Sequence, residues 1–163
     1  MINNYLQPTE FRLNVKRLPK TEFFSQKVSI PGISLSPVEQ TTPLNNVYHS
    51  GDDVTFNELS TTFIIDEYMK NFIEVYDWIY QLGFPTKTDE YKQILRSDDG
   101  LYSDIILTIM NSNVNPAIEL HFTNCFPISL SDVSFDTTMS DNTAPESTVS
   151  FRYDYYSIRV LQK

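Results

Sequence analysis

The chain has 163 residues, of which 40% are hydrophobic and 20% charged, and eleven Phe, ten Tyr and one Trp make it 13% aromatic. This is the composition of one packed domain; a solvated, disordered chain is excluded, because burying so much ring area offsets conformational entropy. A formal charge of −9 argues against unaided binding to nucleic acid or anionic lipid, one Cys excludes an internal disulfide framework, and four Gly leave little for phosphate-cradling loops.

The charge is unevenly placed. Residues 1–40 carry five basic and three acidic side chains, a balance of +2, while residues 41–163 hold the other seven basic and 18 acidic groups, a balance of −11. Such asymmetry serves solubility, or lets copies of the chain attract one another head to tail. No apolar run approaches the roughly 20 residues of a membrane span. Met1 to Gln7 lack the basic and apolar regions of a signal peptide, so the chain is expected to be soluble and intracellular when made.

Strand signals dominate from the start. Phe11, Leu13 and Val15 alternate with Arg12, Asn14 and Lys16, which predicts a half-buried strand broken by Leu18-Pro19-Lys20. A second apolar stretch, Phe23 to Ile30, stops at the turn signal Pro31-Gly32. Residues 33–54 are rich in Ser, Pro, Thr and Asn with weak periodicity. A loop that long in a compact domain usually carries function, or folds as a hairpin against something else. Leu59, Thr61, Phe63 and Ile65 then alternate as a strand.

One helix is expected, from about Asp66 to Leu82, with Asp66 as cap, Glu67 at the positive dipole end, and Gly83 and Pro85 as the stop. Met69, Phe72, Ile73, Tyr76, Ile79 and Tyr80 form its predicted buried stripe, opposite Lys70, Glu74, Asp77 and Gln81. Trp78 falls off that stripe, about 120° from Phe72 at the helical pitch. It reads equally as core rim or as a contact for another subunit.

Residues 86–101 are polar and read as loop. A hairpin follows: Ile105, Leu107 and Ile109 alternate in one arm, Asn111 to Pro116 turn, and Ile118, Leu120 and Phe122 alternate in the other, which Phe126-Pro127 is expected to end. Residues 131–136 suggest a short edge strand and 137–147 an exposed loop. In the final strand Val149, Phe151, Tyr153 and Tyr155 share a face, with Arg152, Asp154 and Tyr156 opposite. Six or seven strands with one helix and short connections favour antiparallel sheets, as two packed sheets or a rolled barrel.

No residue pattern selects an active site. His121 and Cys125 are four apart on one predicted strand face, which separates them by about 13 Å, beyond a hydrogen bond. Glu119 with His121 is half a metal site without further ligands, since the only other His is His49. Asp52-Asp53 and Asp98-Asp99 lack the spacing and closing Glu of a calcium loop. No P-loop, nucleophile-elbow or zincin motif is present. No cofactor, no metal and no catalysis are expected.

The succession of segments carries more. Gly51-Asp52-Asp53-Val54-Thr55-Phe56-Asn57-Glu58-Leu59 enters a strand, and the helix that follows ends on Tyr76-Asp77-Trp78. This resembles the contractile-tail tube proteins of myovirus-type bacteriophages, a family shared with the tubes of contractile injection systems. Phe11–Val15 and Val28-Ser29-Ile30-Pro31-Gly32-Ile33 match its opening strand and its Pro-Gly turn, Ile105 to Phe126 its hairpin, and 148–156 its closing strand. The resemblance spans about residues 9–158. Leu59, where Trp is common, and the Cys125–Ile128 stretch, without the usual small residue, depart from the pattern. They leave open a main tube protein or a baseplate or tail-end ring paralogue.

The resemblance implies a single β-sandwich or rolled-barrel domain over 1–163 with an arm at 1–9, a flanking helix, and an extended 33–54 loop. It implies six copies in a ring whose sheets join around a lumen, and rings stacked into a hollow conduit for DNA ejection. The loop would reach the adjacent ring, making Pro43, Asn45, Asn46, Tyr48, Asp52, Asp53 and Trp78 candidate self-assembly contacts. Asp104 and Glu119, opposite the hairpin's apolar stripes, are candidate lumen-facing acids past which DNA moves without specific binding. The implied partners are the chain itself, the tail sheath protein, and baseplate and tail terminator proteins. The implied place is the virion, after assembly in the host cytoplasm.

Overall fold

The computed structural model describes residues 10–18, 25–84, 100–135 and 144–161. The expected arm at 1–9 and most of the loops expected at 86–101 and 137–147 lie outside them. The strands are β1 (Phe11–Val15), β2 (Ser25–Ser29), β3 (Ile33–Leu35), β4 (Val38–Thr41), β5 (Asn46–His49), β6 (Val54–Phe56), β7 (Leu59–Ile64), β8 (Ser103–Met110), β9 (Pro116–Leu130), β10 (Glu146–Arg152) and β11 (Tyr155–Val160), with helix α1 (Lys70–Gly83) between β7 and β8. Every pairing among them is antiparallel.

The 15-residue β9 belongs to two sheets. Its first part pairs with β8 and β11, giving a front sheet ordered β1-β8-β9-β11; its last part, Phe126 to Leu130, pairs with β10 in a back sheet ordered β9-β10-β7-β2. The path does not close into a barrel. Period-2 alternation buries Leu13, Ile105, Leu107, Leu120 and Phe122 from the front sheet, and Leu59, Phe63, Val149 and Phe151 from the back sheet, in one core.

The sheet change is made at Asn124, which has φ 56. Ser103 faces Cys125 whereas Ile105 faces Phe122, so β9 carries one more residue than β8 across this interval. The extra residue reverses side-chain parity. His121 therefore stays on the outer face while Cys125 is fully buried, and the two do not share the face that uninterrupted alternation predicts. Nor does the strand end at Phe126-Pro127: Pro127 stands in register with Phe151. The Pro ring is accommodated beside the register shift in that pairing.

Three further expectations are corrected. The closing strand is two strands, because the chain leaves β10 at Tyr153-Asp154 and crosses from the back sheet to the front sheet as β11. Residues 131–135 form no strand; Ser131 instead donates its backbone N–H to the Thr148 carbonyl. The helix begins at Lys70, not at Asp66. Met69 precedes it in the left-handed region at φ 53, and the buried Asn71 ties the junction together: its Oδ1 accepts the N–H of Asp66 and Phe72, and its Nδ2 donates to the Ile64 carbonyl.

The buried face of α1 is also rotated from the predicted stripe. Asn71, Val75 and Trp78 are buried, whereas Ile73, Tyr76 and Tyr80 are exposed. Trp78 packs on Phe151, donates Nε1–H to the Leu101 carbonyl at 3.3 Å, and lies under the Arg17 guanidinium at 5.1 Å. A tryptophan satisfies both its ring area and its N–H there, while tyrosines keep their hydroxyls in water.

Candidate assembly surfaces

Residues 33–56 fold as a projecting ribbon rather than as an unstructured loop. The β3–β6 pair forms its base and β4–β5 its outer part. Ile33 and Leu35 face Phe56 and Val54 on one side, and Ser34 faces Thr55 on the other, their hydroxyls 3.2 Å apart. Ile33, Leu35 and Val54 are about half exposed, so an apolar side of the base is left uncovered. A two-stranded ribbon is marginal alone in water. The base is tethered by Phe56, which meets Tyr156 edge-on and Tyr153 at a tilt, and by the Asn57 N–H bonded to the Gly32 carbonyl.

Between the two halves the strands cross closely at Gly51, where an added Cβ would lie 1.8 Å from the Ser36 carbonyl oxygen. Only glycine allows that approach. The neighbouring Asp53 accepts the Ser36 N–H through its backbone carbonyl, and Asp52 and Asp53 are exposed at this crossing. At the far end Thr42 donates its N–H to the Asn45 carbonyl, closing a tip of Pro43 and Leu44. Asn46 donates to the Glu39 carboxylate, Tyr48 is exposed, and Leu44 is 97% exposed. The predicted contacts Pro43, Asn45, Asn46 and Tyr48 are therefore gathered on one projecting end. Trp78 is not among them: at 2% exposure it faces its own core and offers nothing to a second molecule.

The front sheet has two edges, β1 and β11, that no described strand pairs. On β11, Ile158 and Val160 continue the inner-facing rows of Leu107–Leu120 and Ile109–Ile118, yet they are 62% and 65% exposed. The apolar face thus runs out past the part that the described residues cover. The signal for this surface, alternation over 156–160, was hidden behind the continuous strand expected from Val149 to Tyr156.

Asp104 and Glu119 both lie on the outer face of the front sheet, opposite its buried rows. Asp104 Oδ1 accepts the backbone N–H of Asn124 at 3.2 Å. Glu119 Oε2 lies 3.3 Å from His121 Nε2, and its cross-strand row reads Arg12, Thr108, Glu119, Arg159. The face therefore mixes both signs of charge. The one thiol, Cys125, is fully buried, and burial pushes its pKa up to about 12, so it is no nucleophile near neutral pH.

A second apolar surface was missed by sequence reasoning because it comes from the rotation of α1. Phe72, Tyr76, Ile79 and Tyr80 face Ile128 and Leu130 of β9 across an open groove of about 460 Å³. Tyr76 stacks on Tyr80 and Tyr80 meets Phe84, a ladder of exposed rings along one helix edge.

The described residues thus form an antiparallel sandwich with two front-sheet edges that no described strand pairs and a projecting, exposed ribbon. The phage tail tube protein family matches residues 4–159, and the chain belongs to it. It is 24% identical over 163 residues to the tail tube terminator protein of Enterobacteria phage T4, covering 96% of this chain and 90% of that protein. Among solved structures, the sheath/tube terminator of an extracellular contractile injection system, PVC, superposes with a TM-score of 0.64 at 15% identity, over 98% of this chain and 99% of that one. The tube-terminating cap of the anti-feeding prophage gives 0.61 at 16% identity, over 98% and 94%. The chain is thus a structural component of phage-type tails.

Proposed function

We propose that this chain forms a closed six-membered ring that ends the tube of a contractile tail, a terminator rather than the repeating tube subunit. The observation that carries ring formation is the pair of front-sheet edges, β1 and β11, that no described strand pairs. The four strands of that sheet alternate in direction, so β11 of one copy can meet β1 of the next and keep the antiparallel order around a ring. Edge pairing would cover Ile158 and Val160 and remove two edges that otherwise invite aggregation. The outer face, with Arg12, Asp104, Glu119 and Arg159, would then line a bore through which DNA passes without specific binding. The likeness to the T4 terminator along nearly the whole of both chains supports the terminal position. The role is structural, without catalysis, in a virion assembled in the host cytoplasm, with tube and sheath-end proteins as partners.

Stacking into a long tube is the second reading, favoured by the uncovered ribbon. Electron microscopy of the concentrated protein separates the two. Discrete rings support the terminator, extended hollow tubes support the tube subunit, and a field without rings contradicts both.

A further inference from the structure

The ring reading fixes which residues meet at each seam between copies. On β1, Phe11, Leu13 and Val15 point inward and Arg12 and Asn14 outward; on β11, Tyr156, Ile158 and Val160 point inward and Ser157 and Arg159 outward. An antiparallel seam keeps the inward rows together, because a slip of one residue turns every side chain to the other face. The register that pairs every residue of β1 sets Phe11 against Val160, Leu13 against Ile158 and Val15 against Tyr156 of the neighbouring copy. A slip of two in either direction leaves part of β1 beyond the end of β11. On the outer face, the same register sets Asn14 against Ser157 and Arg12 against Arg159.

We infer that Arg12 of one copy and Arg159 of the next form an anion site at each seam, and that its ligand is the phosphate backbone of duplex DNA in the bore. The inference rests on the ring reading and gives the bore a grip that a single chain lacks. Like charges directly opposite in an antiparallel pair destabilise it, and an anion between them removes that cost. Both arginines are exposed, and among the described residues neither is ion-paired. Nearby carboxylates are held by their own chain: Glu119 Oε2 lies 3.3 Å from His121 Nε2, and one carboxylate oxygen of Glu10 is buried. On the strands of this face Arg12 and Arg159 balance Asp104 and Glu119, in a chain of formal charge −9, so an anion is repelled less here than by the chain at large. A guanidinium fork takes a phosphate through two parallel N–H bonds, and facing forks take it from both sides. Such contacts position DNA without reading its bases. A lone chain carries only half of each site.

The test uses rings established by light scattering and a short fluorescent DNA duplex, whose binding is read by anisotropy over a salt series. Arg12→Gln and Arg159→Gln are each expected to form rings at the parental concentration or below it, since the repulsion is relieved. Each is expected to bind the duplex about tenfold or more weakly, with a shallower dependence on salt. Arg152→Gln removes the same charge beside Glu58 on the back sheet and leaves duplex binding unchanged. Arg12→Glu, which sets opposite charges across the seam, is expected to form rings at a lower concentration and to hold no duplex. Rings that bind no duplex, or that lose it equally in Arg152→Gln, overturn the site while leaving the ring reading intact. So do Arg12→Glu rings that need more protein than the parent, since the two arginines then do not face each other. Inorganic phosphate that displaces the duplex better than chloride at equal ionic strength makes the ligand a free anion and overturns the DNA assignment. Single chains that bind duplex as tightly as rings overturn the site, and a chain that stays monomeric at every concentration overturns both readings.

Discussion

The carboxylate of Asp104 accepts the backbone N–H of Asn124 at 3.2 Å, at the one point where β9 leaves the front sheet for the back sheet. The amide of Asn124 reaches the other way, donating Nδ2–H to Asp154 Oδ2 at 2.6 Å beside the β10–β11 crossing. One residue at φ 56 thereby anchors both places where the chain changes sheets. Asp104 is thus a corner residue as well as an outward-facing acid.

Substitutions at this corner separate backbone from side-chain effects. Asn124→Ala loses the amide bond and places a Cβ-bearing residue without local hydrogen bonding in the left-handed region, a cost of about 1–3 kcal/mol. Asn124→Gly accepts the backbone and costs about 1 kcal/mol less. Asp104→Lys removes the acceptor and lowers the urea midpoint, whereas Glu119→Lys, which breaks no backbone hydrogen bond, lowers it less. Equilibrium urea unfolding reads all four.

Trp78 is the only tryptophan, so its fluorescence reports directly on the core. Native emission is expected to be blue-shifted and to move red in one cooperative step. Trp78→Phe keeps part of the contact with Phe151 but loses the bond to Leu101. Trp78→Ala removes the ring, costing about 3–5 kcal/mol. Near-parental stability of Trp78→Ala by circular dichroism would place this ring outside the core.

The strands with strict alternation were legible: Leu13 and Val15, Ile105 to Ile109, and Ile118 to Phe122 all bury the predicted side chains or pack them against the core. What was hidden depends on tertiary context. A single positive φ at Asn124 reverses the parity of everything after it, and a polar residue inside an apolar strand gives no sign of that. The helix was found but its face was misjudged, because counting Tyr76 and Tyr80 as buried outweighs Val75 and Trp78. The ribbon was legible only as a loop or a hairpin against something else, because its strands are short and, apart from Phe56, their side chains are exposed.

Gly51 separates assembly from folding. With an added Cβ 1.8 Å from the Ser36 oxygen, Gly51→Ala forces the ribbon open at its crossing. The ribbon contributes only Phe56 to the packing around the core, so the unfolding midpoint is expected to change little. Stacking through the ribbon, read by sedimentation velocity, is expected to fall sharply while association through the β1 and β11 edges is kept. A variant that unfolds early yet still stacks would contradict this division.

The thiol of Cys125 supplies a pH test. Burial raises its pKa from 9.0 to about 12 in the folded chain. Below pH 9 the thiol is protonated in both states and its contribution to stability is complete. Between pH 9 and about 12 the unfolded chain ionises first, so this contribution is lost as pH rises. Cys125→Ala, although it leaves a small cavity, is expected to show a flatter fall in denaturation midpoint from pH 8 to 11. At pH 8 a thiol reagent should label the native protein only as fast as it opens.

The central claim is that the β1 and β11 edges are completed by sibling chains. Light scattering on a concentration series of the purified chain tests it most directly, since a ring of six has six times the mass of the 18.9 kDa subunit. The account predicts that this mass dominates as concentration rises, and that Ile158→Lys shifts the population to single chains. An 18.9 kDa species that persists at every concentration would contradict it.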